Sequence, residues 1–244
     1  MPPTPLPDPS GRDPLRPRSG AVALSGTTGM GLAYRYVRPV VMRMLHAAIT
    51  GQSSVPAAGG VLLAANHRSF LDHFLLAGAC PRPMRFLGKQ ELSTGVAGRI
   101  NMVMGMVPVS RGTGDLDALD LVAALLRAGQ VVGIFPEGTR SPTGELFRFR
   151  SGMARIAASA RCPIVPVGMI GTCQVWPRVA RPRLRPVPPG VLHVRFGEVV
   201  GPPDPNPRSR RQVTARVHEQ VAALCEQPLT RGFAPVARPG AEPR

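Results

Sequence analysis

GVLLAANHRSFLDHFLLAGA, residues 60–79, is the stretch that decides the fold. Its first half, Val61 to Ala65, is a short unbroken apolar run entered through PAAGG, the pattern of a strand buried on both faces. Its second half places Leu71, Phe74, Leu75 and Ala79 at helical spacing. A buried strand feeding a helix through a short turn is the unit of α/β architecture. The expected fold class is therefore α/β, one domain with a mixed central sheet flanked by helices. His67 falls in the turn and Asp72 near the first helical turn. Such a turn can bring the carboxylate back to one imidazole nitrogen and leave the other free to accept a proton.

Two further stretches repeat the arrangement of an apolar run ending in polar groups. FPEGTRS, residues 135–141, follows the run 130–134 and sets Glu137, Gly138, Thr139 and Arg140 on a loop. MGMVPVSRG, residues 104–112, ends in Arg111, and MRFLG, residues 84–88, reads as another strand with Lys89 at its end. Ligands of open α/β sheets bind at the carboxyl ends of the strands, so these groups are expected to meet at one edge.

Together these residues resemble the glycerolipid acyltransferases typified by 1-acylglycerol-3-phosphate acyltransferase. NHRSFLD (66–72) is similar to that family's first block, GMVPVSR (105–111) to its second, FPEGTRS (135–141) to its third and CPIVPVG (162–168) to its fourth. The resemblance spans roughly 34–224, and its first and third blocks are specific in combination. It implies transfer of a fatty acyl group from acyl-CoA or acyl carrier protein to the free hydroxyl of lysophosphatidic acid, giving phosphatidic acid in phospholipid biosynthesis. It leaves open another lyso-lipid or glycerol 3-phosphate as acceptor. No cofactor is expected beyond the donor thioester, and no metal.

An alcohol is a poor nucleophile until its proton is being removed, so His67 is the expected base and Asp72 the group that fixes its tautomer. A thiolate leaves readily, its conjugate thiol having a pKa near 8.5, so a strong acid catalyst is dispensable. The acceptor's phosphate needs cations, and Arg140, Arg111 and Lys89 are the expected ones. Glu137 is expected to hold an acceptor hydroxyl, to orient an arginine, or to shape the loop through a salt bridge. Gly138 suits close backbone approach to a ligand. Asn66, Arg68 and Ser69 are expected to orient the turn or to donate to the oxyanion.

A formal charge of +16 asks for an anionic partner. Aromatic residues make up only 5%, which leaves few rings to stack on bases, and no nucleic-acid recognition signature is present. An anionic membrane surface is the expected partner and nucleic acid is not. Among 30 basic residues only Lys89 is lysine, the mark of a place suited to a compact ammonium or of drift. Cys80, Cys162, Cys173 and Cys225 lack metal-type spacing and read as reduced thiols. No leader and no run of about 18 apolar residues is evident, so the expected place is peripheral, on the cytoplasmic face of the cell membrane.

Residues 1–27, rich in proline, and 228–244 read as disordered ends flanking an acyltransferase domain over 28–227. Within it, 28–50 reads as amphipathic membrane-interface helices split at Pro39, with Arg35, Arg38, Arg43 and His46 opposite Val37, Val40, Val41, Met44 and Ala48. Residues 92–104 fit a helix or a lipid-facing loop. Helices are expected over 115–127, 151–160 and 209–227, and strands over 164–170 and 191–200. The Pro- and Arg-rich 176–190 fits a basic rim or a linker.

No GxSxG nucleophile elbow is present. Gly88 and Lys89 do not make a phosphate loop, because Pro83 and Gln90 stand where Gly and Ser or Thr belong. His67, Asp72 and His73 find no further Cys or His to complete a metal site. A noncatalytic basic membrane-surface protein would account for the charge, but not for three polar strand ends in this order.

Overall fold

The computed structural model describes residues 27–109, 115–177 and 187–235. The 1–27 segment except Thr27, Arg111, the middle of 176–190 and the last nine residues lie outside them. Seven strands are present among the described residues: β1 (Ala48–Thr50), β2 (Val61–Ala65), β3 (Met84–Lys89), β4 (Met106–Val109), β5 (Val131–Ile134), β6 (Ile164–Ile170) and β7 (His193–Phe196). They form one sheet in the order β1-β7-β6-β2-β5-β3-β4. Every pairing is parallel except β6 with β7, so the sheet is mixed, as the sequence led us to expect.

Strand β2 sits at the centre and is buried along its whole length. Its period of two splits the run between two cores. Val61, Leu63 and Ala65 join the cluster that also holds Leu75, Leu76 and Met169. Leu62 and Ala64 join the opposite cluster with Leu126, Ile156 and Val221. Helices α1 (Thr27–Met44) and α2 (Leu71–Ala79) cover the first face, while α4 (Asp115–Arg127), α5 (Gly152–Ala160) and α7 (Pro207–Cys225) cover the second. Helix α7 begins on a capped turn: Asn206 accepts the Ser209 amide at 2.8 Å and Pro207 stands where its missing N–H costs nothing. Gly168 in β6 lets α7 lie close, since a Cβ there would fall 2.5 Å from the Leu224 backbone.

Several expectations are corrected. Pro39 does not split the first helix, because α1 runs unbroken from Thr27 to Met44. Pro39 is exposed, and the inner side is tied down by Met42 and Leu45 against the core and by Arg38 Nε donating to Gly78 O. Arg38 therefore faces the domain, while Val40 and Met44 stand outward at 58% and 68% exposure. Residues 48–50 are strand, not helix, because β1 finds a parallel partner in β7.

Residues 92–104, left open by the sequence, contain the end of a short 3₁₀ turn (Gln90–Ser93) and helix α3 (Gly95–Val103), and a further short helix, α6 (Thr172–Val175), follows β6. The last strand is shorter than expected, with Val200 contributing only an isolated bridge to Ile164. The first eight residues of the supposedly disordered tail are placed. Leu229 bridges Leu146, and Ala234 is buried, because the exposed edge of the 144–150 loop offers backbone partners.

Candidate active site

The turn after β2 is built around Asp72. Its Oδ2 accepts the amides of Arg68 at 2.7 Å and Ser69 at 2.8 Å, and lies 2.8 Å from His67 Nδ1. The carboxylate thus shapes the turn and fixes the ring together. With Nδ1 held there as donor, the tautomer that leaves Nε2 with a lone pair is favoured. His67 Nε2 has no hydrogen-bond partner among the described residues. The ring is stacked on Phe135 at 4.0 Å and meets His73 edge-on at 5.1 Å.

The 135–141 loop wraps the same histidine from the neighbouring strand. Glu137 Oε1 accepts the His67 amide at 2.8 Å, and the Ser141 amide donates to His67 O at 2.7 Å. Glu137 Oε2 accepts from Phe147 N at 3.1 Å, and the residue is fully buried. Burial pushes its carboxyl up to about 7, although both amide bonds favour the ionised form. With both oxygens taken by backbone amides inside the protein, Glu137 braces the loop against the turn, the loop-shaping role among those expected, and does so through amides and not a salt bridge. Gly138 carries φ +81° and is exposed at the loop tip, a conformation that favours glycine.

The supporting residues also face inward. Asn66 is 1% exposed; its Nδ2 donates to Met169 O and Gln227 Oε1, and its Oδ1 accepts from Met169 N. Ser69 Oγ donates to Trp176 O and accepts the Leu71 amide. Both orient the turn and have no capacity left over for an oxyanion. The amides of Arg68 and Ser69 are likewise taken by Asp72.

The cations lie along one edge. Because β2, β5, β3 and β4 are mutually parallel, His67, Arg140 and Lys89 all follow carboxyl ends of strands on that edge. Arg140 is half-buried after Thr139, near enough to His73 to oppose that ring's protonation, and Lys89 is exposed. Arg111, just beyond β4, lies outside the described residues.

The expected chemistry weighed His73 only as a metal ligand and assigned no role to Phe135 or Gln227. His73 lies in α2 directly after Asp72, and burial together with His67 lowers its pKa to about 4. Phe135 stands directly before the PEGTR residues, which was the one available hint. Gln227 links Asn66 to Gly144, to whose carbonyl it donates at 2.7 Å. It follows the last helix and carries no local signal.

A family model described as Acyltransferase matches residues 46–170, just over half of the chain and all three strand ends described above. The chain belongs to the acyltransferase family. Among curated relatives, it is 33% identical over 133 residues to a chloroplastic 1-acyl-sn-glycerol-3-phosphate acyltransferase of Brassica napus, covering 53% of this chain and 38% of the relative. A Bacillus subtilis protein of the same description is 29% identical over 125 residues, covering 50% of this chain and 62% of that one. The matched stretch thus spans less than two thirds of each of these relatives. The fold is similar to that of the crystal structure of a 1-acyl-sn-glycerophosphate (LPA) acyltransferase from Thermotoga maritima, with TM-score 0.62 and 24% identity over 79% of this chain and 81% of that one.

Proposed function

We propose that this acyltransferase moves a fatty acyl group from a thioester to the free hydroxyl of 1-acylglycerol 3-phosphate. The observation that carries the reading is the 2.8 Å contact between His67 Nδ1 and Asp72 Oδ2. His67 Nε2 takes the hydroxyl proton as the oxygen attacks the thioester carbonyl. Asp72 steadies the imidazolium as it forms. The tetrahedral intermediate collapses by breaking the C–S bond, and the thiolate recovers the proton from His67. Arg140 and Lys89 receive the phosphate of the acceptor. The relatives named as 1-acyl-sn-glycerol-3-phosphate acyltransferases support this acceptor.

His67→Ala should abolish thioester release while circular dichroism stays unchanged, because the substitution removes the base without opening the sheet. Retained turnover in the folded variant would take His67 out of the mechanism.

Membrane attachment is part of the same proposal. Among the described residues no helix is long and apolar enough to cross a membrane. Helix α1 instead exposes Tyr36, Val40 and Met44, and the adjoining α3 exposes Val96, Ile100 and Val103. Arg35, Arg43 and Arg99 are exposed on the same two helices. Apolar side chains set among arginines suit an anionic bilayer surface. Co-sedimentation with anionic vesicles should fall for Val40→Asp/Met44→Asp and rise for neither salt nor neutral lipid.

A further inference from the structure

A cleft of about 480 Å³ lies beside the 135–141 loop, between residues 148–151, the middle of α7 and Phe233 of the C-terminal segment. It is lined by Arg148, Arg211, Thr214, His218, Glu219 and Phe233, among others. The mechanism above uses none of these residues. We propose that this cleft holds the phosphorylated adenine nucleotide of a coenzyme A thioester, the carrier end of the acyl donor. The proposal rests on the acyl-transfer reading and adds to it the chemical class of the donor.

Charge comes first. Arg148 and Arg211 take part in neither of the ion pairs found among the described residues, which join His67 to Asp72 and Arg195 to Glu226. Two guanidinium groups on one cleft, against the one acid Glu219, suit a ligand with several phosphate oxygens. An aromatic platform comes second. Phe233 is 50% exposed, and the guanidinium carbons of Arg148 and Arg150 lie 5.0 and 5.6 Å from its ring centre. Guanidinium planes and phenyl rings are surfaces on which a base stacks.

Position comes third. Arg150 ties the cleft to the site: its Nη2 donates to Ala234 O next to Phe233, and its amide donates to Pro136 O. A Cβ on Gly138 would fall 3.1 Å from Arg150 Nε. The Arg150 side chain thus lies against the exposed Gly138, so a residue bordering the cleft also packs on the 135–141 loop that holds the His67 backbone. The cleft's volume lies within the range of small-molecule sites, about 300–1,000 Å³, and favours a nucleotide over a docked protein helix.

Calorimetry with adenosine 3′,5′-bisphosphate on the full chain tests the site directly, with inorganic phosphate as the control. Wild type and His67→Ala should bind the nucleotide alike, and Arg148→Ala/Arg211→Ala should bind it at least about tenfold more weakly. Phe233→Leu should weaken the nucleotide and leave phosphate unchanged. In kinetics, the double variant should raise KM for acyl-CoA about tenfold and leave KM for the acceptor unchanged. Nucleotide affinity that ignores the two arginines overturns the proposal. So does a loss confined to acyl carrier protein thioesters, which would make this face a dock for an acidic protein. Arginine-dependent nucleotide binding without acyl transfer from any donor keeps the cleft assignment and removes the transfer reading; efficient transfer with arginine-independent binding does the reverse.

Discussion

Glu137 holds His67 by its backbone and not by its ring, with Oε1 2.8 Å from the His67 amide nitrogen. A carboxyl that ordinarily ionises near 4.5 is raised to about 7 by burial. Between those values the unfolded chain has released a proton that the folded chain keeps, so stability from this group is lost as pH rises from 4.5 through 7. The span is worth at most about 3 kcal/mol. Glu137→Gln removes the titration but turns an amide group towards one of the two backbone donors, at a cost of about 1–3 kcal/mol. Its stability deficit against wild type, read from urea midpoints, should therefore shrink as pH is raised from 4.5 to 7.

His73 should show the opposite slope. Burial holds its pKa near 4 against an ordinary 6.5, so the unfolded chain binds a proton in that window and the folded chain does not. Stability is thus lost as pH falls from 6.5 to 4. His73→Phe keeps an aromatic ring beside Phe70, Phe86 and Phe135 and should flatten this acid limb of the urea-midpoint profile.

Asp72→Asn keeps the shape of the side chain but can present an amide N–H to His67 Nδ1, which favours the wrong tautomer. We expect kcat to fall by about three to four orders of magnitude with little change in KM, as steady-state thioester assays would show. A fall in kcat smaller than tenfold would mean that Asp72 serves the turn and not the ring.

Arg140→Ala should raise KM for a phosphorylated acceptor by about tenfold or more and leave kcat nearly unchanged. An acceptor analogue without phosphate should not distinguish the variant from wild type. Equal losses on both acceptors would shift Arg140 from phosphate binding to the framing of the loop.

The sheet and the His67–Asp72 contact were legible because their signals are local. Val61 to Ala65 is a continuous apolar run, and Asp72 lies one turn from His67, so neighbouring residues carry the whole message. Glu137 was found with its role left open: its residue type allows a ligand or a brace, and only the fold shows both oxygens occupied by backbone amides. The single α1 was missed because Pro39 argues locally for a break, whereas the packing of Met42 and Leu45 and the Arg38 bond to Gly78 are contacts across sequence. β1 was missed for a related reason. Three residues that alternate between exposed and half-buried have no pattern of their own until β7 lies beside them.

The segment after Cys225 stitches itself to the 144–150 loop: Leu146 N donates to Pro228 O, Thr230 N to Leu146 O, and Arg148 N to Gly232 O. Gln227 meanwhile spans 161 positions of chain to reach Asn66. The braces of the His67 turn therefore leave the ribosome well after the turn they hold.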